Sequence, residues 1–314
     1  MIHPKFSYLP VVAALRPHQW TKNLIVFAAP LFAFNLKWQC FLGSLLAFVL
    51  FCCASSAFYM INDVKDVQSD RFHPIKRKRP IASGAVGIPL VLGIAIVLIV
   101  SALSLGWLQS SVLGATLLGY CLLQIAYNLK LKHKPIADIF AIAIGFILRA
   151  YGGATASGNT LSPWFLLCTA MLALFLAIEK RKAELRLLET QKIEKPRSVL
   201  RRYSLSLLIR MESVVTTGMV MSYALWSSGP VLRGASTPWM LLTLPLVLHG
   251  IFRYQLLSDP QEICRRSFPG IETRWSTEQP EEILLRDVPL LVTVVGWVST
   301  SFAILFLKHQ GIIE

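Results

Sequence analysis

Between positions 62 and 70 the chain reads Asn62-Asp63-Val64-Lys65-Asp66-Val67-Gln68-Ser69-Asp70. On a helix, carboxylates at 63, 66 and 70 fall at i, i+3 and i+7 on one face, and Asn62 stands one turn from Asp66. Like charges at these spacings repel, and keeping them ionised near a bilayer costs more still, so the arrangement asks for a cation. The donors are all oxygen, with neither Cys nor His among them, which suits Mg²⁺, an ion that keeps several waters and bridges carboxylates to substrate phosphates. The competing reading is a solvated acidic helix end neutralised by Lys76, Arg77, Lys78 and Arg79. Against it, this one face gathers three of the protein's six aspartates.

The elements that must hold these residues are apolar. Of 314 residues, 54% are hydrophobic and only 15% charged, with a mean hydropathy of +0.57, far from the quarter or so of charged residues in soluble domains. The composition predicts an all-α integral membrane bundle of about nine transmembrane helices, with cores near 23–36, 41–61, 86–107, 109–127, 136–156, 162–178, 212–228, 237–252 and 289–307. Such spans leave no room for a separate soluble domain. Alternate connections divide the bases unequally: 27 of the 31 Lys and Arg fall on one side, against Lys37, Arg233 and Lys308 on the other, with Arg149 inside a span. Because basic loops stay in the cytoplasm, the N-terminus is expected inside and the C-terminus outside. Topology thus accounts for the net charge of +14, and nucleic acid is not an expected partner.

Residues 1–22, with aromatics and leucines among Pro and basic residues, lack the pattern of a signal peptide and read as an interfacial segment on the cytoplasmic face. Residues 23–314 then form one transmembrane catalytic domain. The six cysteines show no CxxC spacing and read as packing residues. The six histidines show neither metal nor dyad spacing.

The pattern at 62–70, followed by Arg79-Pro80-Ile81-Ala82-Ser83-Gly84 and then by Tyr127 with Lys130 and Lys132, resembles the UbiA-type membrane prenyltransferase superfamily over essentially the whole chain. That resemblance implies that Asp63, Asp66 and Asp70 bind Mg²⁺ and the diphosphate of a substrate, which agrees with the carboxylate chemistry. Ordinary members carry a second acidic motif, DxxxD, at the end of the sixth span. Here the corresponding place reads Glu179-Lys180-Arg181-Lys182-Ala183-Glu184, so that Lys180 and Glu184 stand at the two Asp positions. A cation in place of a metal-binding acid suits a ligand with an anionic group beyond its diphosphate, with Arg181 clamping a phosphate and Lys180 supplying a compact charge. The competing reading of the three bases is the positive-inside rule at a helix end.

This KRxxE pattern resembles the decaprenyl-phosphate phosphoribosyltransferase branch, as do the segment from Arg16 to Asn23, Phe252-Arg253-Tyr254, and Pro280-Glu281-Glu282 running into Arg286-Asp287. The resemblance implies 5-phosphoribosyl-1-diphosphate as donor, a long-chain polyprenyl phosphate as acceptor, the lipid bilayer as surroundings and a bacterial plasma membrane as location. Lys22, Lys76, Arg79, Lys130, Lys180 and Arg181 are expected to hold phosphates, and Asn62 to assist the aspartates. Glu184 either orients Arg181 or meets ribose hydroxyls. Tyr127 and Tyr254 either close the pocket or anchor at the interface. Asp287 either binds ribose or metal, or pairs with Arg286 or Arg253. Arg149 is a functional intramembrane charge or a structural one that snorkels outward, Asp138 a cap of its helix, and Glu212 a residue reaching the interface. Two other readings remain: prenyl transfer to an aromatic or other acceptor, which predicts a second DxxxD, and a lipid transporter, which predicts charges near the midplane and inverted repeats.

Overall fold

The computed structural model describes residues 8–35, 37–72, 76–191, 199–259, 262, 283 and 287–313. In chain order these form α1 (Tyr8–Leu15), a 3₁₀ helix (Pro17–Phe27), α2 (Ala28–Phe32), α3 (Trp38–Lys65), α4 (Val67–Phe72), α5 (Ile88–Gln109), α6 (Ser111–Leu129), α7 (Ala137–Ala156), α8 (Pro163–Gln191), α9 (Leu205–Ser227), a 3₁₀ turn (Pro238–Thr243) running into α10 (Leu244–Leu257), and α11 (Val288–His309). Helices satisfy every backbone donor and acceptor internally, the condition for crossing hydrocarbon. Among the described residues, eight helices are long and apolar enough to cross a membrane. In α5 the buried positions are Val91, Ala95, Ala102 and Gly106, one face at helical spacing, while the large Ile96, Val97 and Val100 point outward. This is an integral membrane protein, apolar on its lipid-facing side as well as inside.

The expected first span, 23–36, is not a long helix. The chain instead runs antiparallel to α3 as the 3₁₀ helix: Arg16 meets Asp63, Trp20 Nε1 donates to Ser56 Oγ at 3.0 Å, Asn23 Nδ2 to Cys52 Sγ at 3.2 Å, and Phe27 packs on Phe48. Eleven residues at about 2.0 Å per residue cover about 22 Å, the length of α3 between Phe48 and Asp63 at about 1.5 Å per residue. An α-helix of eleven residues would fall roughly 5 Å short. Pro17 opens the segment after Arg16 in the left-handed region (φ 55°, ψ 61°), and Pro30, without an N–H, follows soon after its end.

The chain falls into two compact units, one of 1–28, 37–129 and 148–159, the other of 29–36, 130–147 and 160–314. The first is centred on α3, whose Ala47, Leu50, Phe51 and Ala54 pack with Leu117 and Tyr120 of α6. In it Gly153 backs directly onto the Val26 backbone, leaving no space for a Cβ. Gly153→Ala is expected to cost about 1–3 kcal/mol, read as a lowered Tm in detergent. In the second unit, Ile139 and Ala143 of α7, Ala177 and Ile178 of α8 and Leu208 of α9 form one cluster, and Phe175, Met219, Ile251 and Leu290 belong to another.

Candidate functional site

The acidic face lies in the first unit. The helix expected across 62–70 is interrupted at Asp66, which ends α3 with φ −92° and ψ 5°, before α4 resumes. Asp63 and Asp70, 3% and 4% exposed, are drawn together by Arg79, whose Nη1 lies 3.1 Å from Asp63 Oδ1 and 2.6 Å from Asp70 Oδ2. Arg16 Nη2 adds contacts of 2.5 and 2.7 Å to the two oxygens of Asp63 and lies over the Tyr59 ring at 5.3 Å. Asp66 accepts from Asn62 Nδ2 at 3.0 Å.

Local sequence explains why the two arginines arrive there. After Arg79 the chain makes a tight turn: Ser83 N–H bonds Arg79 O at 2.9 Å and Val86 N–H bonds Pro80 O at 3.2 Å. Gly84 takes φ +79°, a conformation natural to glycine. Ile81 belongs to the cluster of Ala57 and Met60 on α3, which pins the turn. Arg16 reaches Asp63 from a left-handed backbone that costs a side-chain-bearing residue about 1–3 kcal/mol. Sequence reasoning placed Arg16 in the basic interfacial segment that meets the lipid phosphate but did not pair it with Asp63; its signal was the base directly before Pro17.

The oxygen donors of Asp63, Asp66 and Asp70 fit a hard divalent cation by their chemistry. Among the described residues, however, no three acid, His or Cys side chains are gathered around one point, and a guanidinium lies between Asp63 and Asp70. Of the other expected ligands in this unit, Lys22 donates to Gln19 from the 3₁₀ helix, Lys76 is half-buried in a one-turn 3₁₀ helix (Lys76–Lys78), and Tyr127 is half-buried in the last turn of α6. Lys65 Nζ donates to Asn128 O at 3.1 Å, tying the end of α3 to that of α6.

Arg149 does not snorkel. It is 6% exposed, its Nε donates to Asn23 Oδ1 at 2.6 Å and its Nη2 to Tyr120 Oη at 2.8 Å, and it stands over the Tyr120 ring at 4.8 Å. The intramembrane charge braces the 3₁₀ helix, α6 and α7.

In the second unit the three consecutive bases of α8 part company. Arg181, 1% exposed, donates from Nε to Asp138 Oδ2 at 2.7 Å and from Nη1 to Glu184 Oε2 at 2.5 Å. Lys182 Nζ meets Glu179 Oε1 at 2.6 Å and Glu212 Oε2 at 2.5 Å, and Gln255 Nε2 donates to Glu212 Oε1 at 2.9 Å. Lys180 is half-buried. Arg181, expected as a phosphate clamp, is therefore engaged by two carboxylates, and Glu212, expected at the interface, is buried beside Lys182. Tyr203 donates to Asp138 Oδ1 at 2.7 Å and accepts from Ile136 N–H at 2.5 Å. Burial first, and then the Asp138 carboxylate, hold its phenol well above the usual range, so it stays a donor. Asp138, expected only as a cap, is the hub of this node; its signal was an acid in the first turn of an apolar span, where an ion needs a partner.

Lys130 is exposed at the start of a connecting turn. Arg253 and Asp287 pair at 3.0 and 2.8 Å, and Asp287 also caps α11 through Leu290 N–H at 2.9 Å. Tyr254 is buried edge-on against Phe175, 5.4 Å between ring centroids. Pro280, Glu281, Glu282, Arg286 and Cys264 lie outside the described residues; the other five cysteines are free thiols.

The family model described as "UbiA prenyltransferase family" matches residues 23–276. The chain is 38% identical over 298 residues, 92% of its own length and 84% of the other, to a decaprenyl-phosphate phosphoribosyltransferase of Corynebacterium glutamicum. To that of Mycolicibacterium smegmatis it is 35% identical, over 96% of this chain and 94% of that one. Its fold is similar to that of a UbiA homologue from Archaeoglobus fulgidus solved with DMAPP and Mg²⁺, with a TM-score of 0.66 over 93% of this chain and 97% of that one, at 17% identity. The family model spans residues 23–276 and relatives of 35–38% identity cover more than nine-tenths of the sequence, so this chain belongs to the UbiA prenyltransferase family.

Proposed function

We propose that the protein transfers 5-phosphoribose from 5-phosphoribosyl-1-diphosphate to a long-chain polyprenyl phosphate, releasing diphosphate at the cytoplasmic face of a bacterial plasma membrane. The observation that carries this reading is the second motif, where Lys180 and Glu184 stand in place of two metal-binding aspartates. The full-length similarity to proteins named for that activity supports it, and the division of basic residues between alternate connections supports the orientation.

An oxygen of the lipid phosphate bonds to the anomeric carbon as the bond from that carbon to the diphosphate oxygen breaks, and the electron pair leaves with diphosphate. In-line attack on the α donor gives a β-linked product. The lipid phosphate is already an anion, so no general base is needed. Asp63, Asp66 and Asp70, with Asn62, would hold Mg²⁺, whose chemistry is to neutralise the charge gathering on the leaving group. As the resemblance implies, Lys22, Lys76, Arg79, Lys130 and Lys180 would bind phosphates of donor and acceptor. Arg181, engaged by Asp138 and Glu184, positions the Glu184 carboxylate as an acceptor for ribose hydroxyls. The Arg253–Asp287 pair ties α10 to the start of α11, buried Tyr254 packs α10 on Phe175 of α8, and Tyr127 would close the pocket.

The test is to incubate purified protein with Mg²⁺, polyprenyl phosphate and 5-phosphoribosyl-1-diphosphate and to measure diphosphate release together with phosphoribosylated lipid. Release that needs both substrates is expected. Product from a prenyl diphosphate and an aromatic acceptor instead would return the chain to ordinary prenyl transfer. In the same assay Lys180→Ala is expected to raise KM for the donor on the order of 10-fold, the loss of one charged hydrogen bond, with little change for the lipid. Equal loss for both substrates would count against this role.

A further inference from the structure

We propose that Arg16 and Arg79 are specificity-determining residues, which make the acidic motif accept a divalent cation together with a diphosphate and reject the cation alone. This rests on the reading of the motif as the metal–diphosphate site.

Asp63 and Asp70 are nearly inaccessible, so solvent screens their neighbours weakly. Two guanidiniums, which do not lose their protons, already balance these two carboxylates. Even with the third carboxylate, Asp66, counted, a dication added to this group leaves it net positive and sets the cation against two guanidiniums, an arrangement a poorly hydrated site resists. A diphosphate reverses the balance. Its oxygens accept the guanidinium N–H groups as well as carboxylates do, so Arg16 and Arg79 exchange partners and Asp63 and Asp70 turn their oxygens to the cation.

Geometry favours such an exchange over a plain structural brace. Arg79 touches both carboxylates through one nitrogen, Nη1, and Arg16 touches both oxygens of Asp63 through one nitrogen, Nη2. Neither pair is the two-nitrogen fork that Arg253 makes with Asp287, the stronger geometry for an arginine–carboxylate pair. Both arginines retain access, with side chains 19% and 28% exposed, while the carboxylates beneath them do not. Arg16 is further fixed by its left-handed backbone and the Tyr59 ring, so it stays beside the motif whichever anion it pairs with.

Equilibrium dialysis of the full-length protein in detergent, with Mn²⁺ alone and with Mn²⁺ plus inorganic diphosphate, tests this directly. In the wild type, diphosphate is expected to tighten protein-bound Mn²⁺ on the order of 30-fold, within the roughly 5–150-fold range of coupled sites. Arg79→Gln, and more so Arg16→Gln with Arg79→Gln, should tighten Mn²⁺ alone about 10-fold and abolish most of the coupling, because the competing charge is gone. Equal Mn²⁺ affinity with and without diphosphate in the wild type overturns the proposal without reference to any variant, and so does unchanged coupling in a folded Arg79→Gln protein. Absence of Mn²⁺ binding under both conditions overturns the metal assignment as well. Coupling as expected, with no phosphoribosyl transfer in the assay above, leaves this inference standing and removes the donor reading.

Discussion

Asp66→Asn is expected to lower turnover by about 10²–10³-fold, the scale seen when one electrostatic group at a reacting centre is removed, with a smaller fall of the Tm in detergent than Asp63→Asn. The two halves of that expectation have separate causes. Asp66 is the one aspartate of the motif that neither Arg16 nor Arg79 reaches; it takes a hydrogen bond from Asn62 at 3.0 Å that an asparagine oxygen also accepts. What the substitution removes is a negative charge that the cation needs, while the side chain keeps its shape and an oxygen for Asn62. Asp63→Asn should differ in kind: it also strips a carboxylate from two arginines, so activity and stability fall together. Unimpaired turnover of Asp66→Asn at limiting Mg²⁺ would contradict the metal role.

Asp138→Ala carries the largest expected loss of stability, about 3–5 kcal/mol, the cost of leaving one partner of a buried ion pair behind. Arg181 is 1% exposed and Asp138 fully buried, so neither charge has water to fall back on. Glu184 still bonds Arg181, which places the loss at the lower part of that range. Asp138→Asn keeps an acceptor for Tyr203 Oη and should lose less, so the order wild type, Asn, Ala in thermal melts separates charge from hydrogen bonding. Asp138→Ala and Tyr203→Phe of equal stability would show that the charge matters little.

The long helices were legible because hydropathy reports directly on what a bilayer demands of a backbone, and seven of the nine expected spans lie largely within single long helices, with the eighth formed by a 3₁₀ turn and α10. The first was not, since an apolar run says nothing about whether its hydrogen bonds close on i+3 or i+4; that choice was made by the distance from Phe48 to Asp63 and by Gly153. The acidic motif was legible because its members are neighbours in sequence. Arg16 with Asp63, Asp138 with Arg181, and Lys182 with Glu212 lie 47, 43 and 30 positions apart, and spacing along the chain carries no information about which charges will meet. Three successive bases on a helix point in different directions, but nothing in the sequence said that Arg181 and Lys182 would each find acids inside.

The stretched segment from Pro17 to Phe27 acts as a strut of fixed length between an anchored point deep in the bundle and the first carboxylate. Rewinding it from 3₁₀ to α would shorten it by about 5 Å, and with Val26 seated on Gly153 the whole retraction would appear at Arg16, close to one helical turn. To bridge the same span as an ordinary α-helix the chain would need about fifteen residues where it has eleven. Insertions of one to three residues between Arg16 and Asn23 should therefore be poorly tolerated, whereas four would allow a relaxed helix to carry the arginine to the same place.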